Sequence, residues 1–171
     1  EVLCRIATPF KRSGEIDEQA LRELLPRFIK SKIAIYLCSE AGGEGRALTS
    51  RELGRIYQIG LEECKGRIAV YANPPEQYSV SLRREYIHQA IEAGVDMVML
   101  NAYKSMRLND TELVLYFKQV LAGIKHPMSI AVNARSGGYT PKAEVMADIC
   151  NNHRQIVAFN LSNGGDAYFV R

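Results

Sequence analysis

Short apolar runs return along this chain about every 30 residues, and a longer amphipathic stretch follows each one. Strands are expected at 2–7, 33–37, 68–71, 95–100, 128–133 and 156–160, each rich in β-branched or other apolar residues. Helices are expected at about 17–30, 50–64, 79–93, 110–123 and 142–152. Thr49-Ser50-Arg51-Glu52 reads as a capping box. Asn109 or Asp110 supplies the next cap, before a stripe of Leu113, Tyr116, Phe117 and Val120. Pro26 falls inside the first helix and is expected to kink it or end it early. Strand, helix and strand in alternation, with short connections, specify an α/β protein with a parallel sheet.

Two architectures fit that pattern. A doubly wound sheet binds its ligand at a switch point, often through a glycine-rich first turn. The first turn here is Thr8-Pro9-Phe10, with no such glycines. A (β/α)8 barrel needs eight units, and the chain supplies five and the strand of a sixth. Periodicity alone leaves both open.

Composition excludes several classes. With 171 residues, 47% hydrophobic and 24% charged, the chain has the make-up of a globular domain rather than a disordered one. No apolar run approaches the roughly 20 residues of a membrane span. A charge, Arg5, interrupts the first apolar stretch, so no signal peptide is expected and a cytoplasmic location is. A net charge of +3 is too small to argue for nucleic acid. Cys4, Cys38, Cys64 and Cys150 form no C-x-x-C pair and read as free thiols, mostly in apolar surroundings. With His88, His126 and His153 they give no zinc-ligand spacing, so neither a metal nor a cofactor is expected.

Motifs decide between the architectures. Ala7-Thr8-Pro9-Phe10 and Gly14-Glu15-Ile16-Asp17 are followed by Gly43-Glu44-Gly45-x-x-Leu48-Thr49-x-x-Glu52. Then come Gly66-Arg67-Ile68-x-Val70, Ala93-Gly94-Val95-Asp96, Tyr116-Phe117, His126-Pro127 and Ile156-Val157-Ala158-Phe159. In order and spacing this set resembles the dihydrodipicolinate synthase / N-acetylneuraminate lyase family over essentially the whole chain. The resemblance implies a (β/α)8 TIM barrel, of which the chain covers the first five βα units and the sixth strand. One barrel domain over 1–171, incomplete at its C-terminus, is therefore expected, since such barrels take about 250 residues.

The resemblance also implies chemistry. Family members act on pyruvate or related 2-oxo acids through a Schiff-base lysine at the end of the sixth strand. A tyrosine ending the fifth strand relays protons, and a threonine pair after the second strand assists. In this sequence the lysine position is Asn160, the tyrosine position is Ala131, and the threonine pair is Ala41 and Gly42. An amide forms no imine and a methyl group relays no proton. The glycine-rich turn after the third strand becomes Asn73-Pro74-Pro75, and the tyrosine pair after the fourth falls on Lys104 and Ser105, beside Tyr103. The carboxylate-binding arginine falls on Ser136, next to Arg135.

The polar residues left at the strand ends include Thr8, Ser39, Glu40, Glu44, Asn73, Asn133, Asn160 and Ser162. Arg135 could clamp a carboxylate, with Ser136, Asn160 and Lys104 as further ligand contacts. Cys38 lacks a histidine neighbour and reads as packing, and Glu44 as a brace of its glycine turn. Ser162-Asn163-Gly164-Gly165-Asp166 looks like a phosphate loop, but the family often has such a stretch without that role. The expected function is that of a divergent lyase-like protein acting on or binding a 2-oxo acid or sugar-acid-like ligand, as a homo-oligomer (dimer or tetramer). A non-catalytic scaffold or regulatory homologue is the alternative, and a metal-assisted aldolase using Glu40 or Glu44 a third.

Overall fold

A computed structural model of the chain describes residues 2–40, 42–101, 108–133 and 141–162, with only the backbone of Asn133, Leu161 and Ser162. In chain order it forms β1 (Leu3–Arg5), α1 (Glu18–Ser31), β2 (Ala34–Leu37), a 3-10 turn (Gly45–Ala47), α2 (Ser50–Cys64) and β3 (Val70–Ala72). Then follow α3 (Val80–Ala93), β4 (Met97–Asn101), α4 (Asp110–Val120), β5 (Met128–Asn133), α5 (Ala143–Asn152) and β6 (Ile156–Ser162). The strands lie in sequential order β1 to β6, and every ladder described residue by residue is parallel. That order, with a helix after each of the first five strands, is the (β/α)8 barrel class carried through its sixth strand. Packing divides the chain into two compact units, Glu1–Pro75 with Glu85–Val98, and Glu76–Arg84 with Met99–Arg171.

In the first unit, α1 and α2 cover one face of the strands. Asp17 caps α1 by accepting from Ala20 N at 3.0 Å, and Leu21 and Leu25 are buried. Pro26 does not end α1, which runs to Ser31. Pro26 is exposed, so the Arg22 carbonyl that loses its amide partner lies on the water side of the helix. Thr49 and Glu52 form the expected capping box of α2: Thr49 N donates to Glu52 Oε2 at 2.8 Å, and Glu52 N to Thr49 Oγ1 at 3.3 Å. Gly60 lets α2 approach the sheet, because a Cβ there would stand 2.5 Å from Leu37 Cδ1 and 3.7 Å from Val70 Cγ1.

Those contacts fix which way the strands face. Leu37 and Val70 point to α2, so the residues alternating with them point away. The register pairs Arg5 with Tyr36, Tyr36 with Tyr71, and Tyr71 with Met97. These four form one row across β1–β4 on the face away from α2.

In the second unit, Asn109 and Glu112 cap α4 reciprocally, and Leu113, Tyr116, Phe117 and Val120 are buried as the stripe predicts. The helix stops at Val120, three residues short of the expected end. Gly123 adopts a left-handed φ of +73°, and Arg84 Nη1 donates to the last carbonyls, Val120 O at 2.8 Å and Gln119 O at 3.1 Å. The β5 and β6 ladder is continuous from Ser129 to Asn133.

Candidate functional site

Candidate site residues lie toward the strand ends in each of the two units. In the first, the loop after β2 turns back sharply on itself. Cys38 takes a left-handed backbone (φ +57°), and Ser39 O accepts from Gly43 N at 2.9 Å and Gly45 N at 3.2 Å. A Cβ on Gly43 would stand 2.7 Å from Ser39 N, and one on Gly45 would press on the Cys38 carbonyl. Both positions therefore demand glycine. Buried Thr8, three residues after β1, donates its hydroxyl to Gly43 O at 2.7 Å. Gly42 N donates to Ser39 Oγ at 3.2 Å. Asn73 is buried after β3, where its backbone N–H donates to Leu37 O at 3.0 Å.

Charge in this loop is paired. The Glu40 side chain is nearly enclosed, and its Oε2 lies 3.3 Å from Arg46 Nη2. Glu44 corrects an expectation: its side chain is exposed and makes no cap to the 3-10 turn, which closes through Glu44 O accepting from Ala47 N at 2.8 Å. Its backbone, left-handed at φ +57°, does the bracing instead. Among the described residues no three histidine, cysteine or acidic side chains gather as metal ligands. Cys38 is buried, and burial pushes its thiol well above the ordinary cysteine range against a weaker opposing hydrogen bond with Tyr57. That is the packing role expected of it, since a nucleophilic thiol needs the opposite shift.

One residue at this end was passed over in the sequence. Arg5 closes β1, is exposed, and its stem lies along Gly42: a Cβ on Gly42 would stand 3.6 Å from both Arg5 Cβ and Arg5 Cδ. The signal was the charge inside an apolar strand, which counted above only against a signal peptide.

In the second unit, the positions implied for the tyrosine and the lysine meet. Ala131 on β5 and Asn160 on β6 are direct register partners. Partners in a parallel ladder point to the same face, so the two side chains are neighbours. Ala131 is buried, Asn160 is half-buried, and Asn160 Nδ2 lies 3.5 Å from Met99 Sδ, a weak acceptor. Val157 and Phe159 alternate with them and are 63% and 42% exposed. Asn101, ending β4, is buried. Ala41, Tyr103, Lys104, Ser105, Arg135, Ser136 and residues 163–166 lie outside the described residues, as do the side chains of Asn133 and Ser162.

His126 precedes β5 and His153 precedes β6, at the ends away from these positions. Burial lowers the His153 imidazole below its ordinary range, with Asp148 opposing. No described helix is long and apolar enough to cross a membrane.

Comparison with known proteins gives one consistent result. The model of the dihydrodipicolinate synthetase family matches residues 1–159. An uncharacterized DapA-like lyase of Rhizobium meliloti is 26% identical over 161 residues, covering 92% of this chain and 52% of that protein. A 4-hydroxy-tetrahydrodipicolinate synthase of Syntrophus aciditrophicus is 31% identical over 123 residues, 72% of this chain and 42% of its own. The crystal structure of YagE, an E. coli K12 prophage protein of the dihydrodipicolinic acid synthase family in complex with pyruvate, superposes with a TM-score of 0.88 at 17% identity. That match covers 98% of this chain and 56% of YagE, and it speaks to fold alone. The chain spans about half the length of the curated relatives it matches.

Proposed function

Because the chain belongs to the dihydrodipicolinate synthetase family, we propose that it binds a small 2-oxo acid at its strand ends and forms no imine through β6. The observation that carries this reading is the pairing of Ala131 with Asn160. On the family's pattern this is where a proton-relay phenol stands beside an imine-forming amine. A methyl group and an amide replace them here. The amide still offers two donors and an acceptor to a carbonyl oxygen. It has no lone pair basic enough to attack the keto carbon. Binding of the ligand therefore survives the loss, whereas covalent activation at this position does not. YagE, which shares the fold, is described in complex with pyruvate, and this favours pyruvate as the first ligand to try. Arg135, Ser136 and Lys104 complete the proposed ligand contacts, in a protein we take to be cytoplasmic and homo-oligomeric.

The test is incubation with pyruvate and borohydride, followed by intact mass. The expected result is an unchanged mass alongside saturable pyruvate binding by titration. A reduced adduct on any lysine overturns the claim that imine chemistry is lost.

A further inference from the structure

We propose that the Ser129 hydroxyl anchors one ordered water beside Asn160, and that this water carries a hydrogen bond to the ligand. The water's part in ligand binding rests on the 2-oxo acid reading above; its presence does not.

The first observation is an unmet hydroxyl. Ser129 on β5 is 1% exposed, and its Oγ makes no hydrogen bond among the described residues. A buried hydroxyl in that state bears its full desolvation cost. Folded proteins meet such a group with an ordered water or a ligand.

The second is the face on which it stands. The ladder shifts between Met128 and Ser129: Met128 pairs with Ile156, Ser129 with Ala158, and Val157 is passed over. A one-residue shift reverses the faces of one strand against the other. Without it Ser129 would lie opposite Val157, and Ala131 opposite Phe159. With it, Ser129, Ala131, Ala158 and Asn160 share one face, while Val157 and Phe159 turn to the other. All of these residues lie in the second unit. The bulge thus puts the unmet hydroxyl on the same face as the two positions to which the resemblance gives the chemistry.

The third is reach. On that face Ser129 has Ala131 next along its strand and Ala158 across the ladder. Both end in a methyl group, which neither donates nor accepts. Residues i and i+2 of a strand lie about 6.6 Å apart. A ligand held at Asn160, level with Ala131, is therefore beyond direct contact with Ser129. One water with two hydrogen bonds of about 2.8 Å each spans most of that distance. A serine hydroxyl both donates and accepts, so it holds such a water in either orientation.

The experiment is a crystal structure of the intact protein at a resolution that shows ordered waters, with urea and pyruvate titrations of wild type and Ser129→Ala. The expected result is a water within about 3.2 Å of Ser129 Oγ. Ser129→Ala is expected to lower the urea midpoint and to weaken pyruvate about three- to ten-fold. A dry Ser129 hydroxyl, or a urea midpoint that rises in Ser129→Ala, overturns the water. Pyruvate binding within two-fold of wild type in Ser129→Ala overturns its part in the ligand site and leaves the 2-oxo acid reading standing. If Ser129→Ala does not fold, Ser129→Cys, which weakens the hydrogen bond, decides on the same criteria. Absence of saturable pyruvate binding in the wild type overturns that reading and the water's part in it, and the density then decides the water itself.

Discussion

At the level of single residues, the turn after β2 is where backbone geometry and chemistry are most tightly linked. Cys38 holds a left-handed conformation that a residue with a side chain rarely adopts, and a Cβ on Gly43 would stand 2.7 Å from Ser39 N. Backbone on both sides leaves no flexible atom to yield. Gly43→Ala should therefore destabilise the protein by about 2–4 kcal/mol, read from the urea midpoint. The same burial governs thiol reactivity. Cys38 and Cys64 are buried, and burial pushes the Cys64 thiol up to about 11. Native alkylation at pH 8, mapped by mass, should label Cys4 and Cys150 well before either of them. The packing role of Cys38 was legible, because its neighbours are apolar and no histidine was near. The placement of Arg5 was not, because a sequence shows a charge in a strand but not the glycine across the loop that receives it.

At the level of elements, the helices separate interactions that look strong from those that are. Arg55 grips Glu18 with two hydrogen bonds and Arg22 reaches both Glu62 and Glu63, all between partly exposed side chains. Hydrogen bonds from arginine hold Glu18 and Glu62 below the ordinary carboxylate range. Solvent screens such pairs, so Glu18→Gln is expected to leave the thermal midpoint nearly unchanged at physiological salt. By contrast Leu25, fully buried on the same helix, should cost about 2–5 kcal/mol as Leu25→Ala in a urea titration. Between these lies the α2 cap: Thr49→Ala should cost about 1 kcal/mol by the same measurement. Helix existence, the Thr49–Glu52 capping box and a cap at Asn109 or Asp110 could be read from residue spacing; the reciprocal bond from Glu112 could not. The ends could not. α4 closes early where a distant arginine, Arg84, donates to its last carbonyls and Gly123 turns the chain left-handed, and α1 tolerates Pro26 because its unbonded carbonyl faces water.

For the whole molecule, the repeat of strand and helix identified the α/β class, and ordered motifs, not periodicity, chose the barrel. Both steps succeed for a physical reason: two-sided burial forces apolar strands, and the turn after β2 requires its glycines, Gly43 and Gly45. Site chemistry was legible only as substitution at implied positions. Which of those positions touch depends on strand register, and register has no short-range signature here. Stability as a whole should carry a pH signature from His153. Its imidazole is lowered in the folded state, so the unfolded chain binds the proton more readily. The contribution is intact above the ordinary imidazole pKa of about 6.5 and is lost as pH falls through the lower folded value. The thermal midpoint should fall between pH 7 and pH 5, and His153→Gln should flatten that slope in a scan across pH.

The register of β5 against β6 also sets how two of the positions that differ from the family pattern can change. Ala131 and Asn160 are adjacent on one face, so the two positions are coupled by contact and a designer must treat them as one. Met99, whose sulfur meets Asn160, is the third member of that neighbourhood and has to give way to a longer side chain. Changing this pair is thus a repacking of three side chains on three consecutive strands. The same adjacency means that either replacement made alone leaves its new polar group facing an unchanged neighbour. Stepwise change at the pair would have to cross that intermediate, a physical reason for the Ala131 and Asn160 pairing to persist.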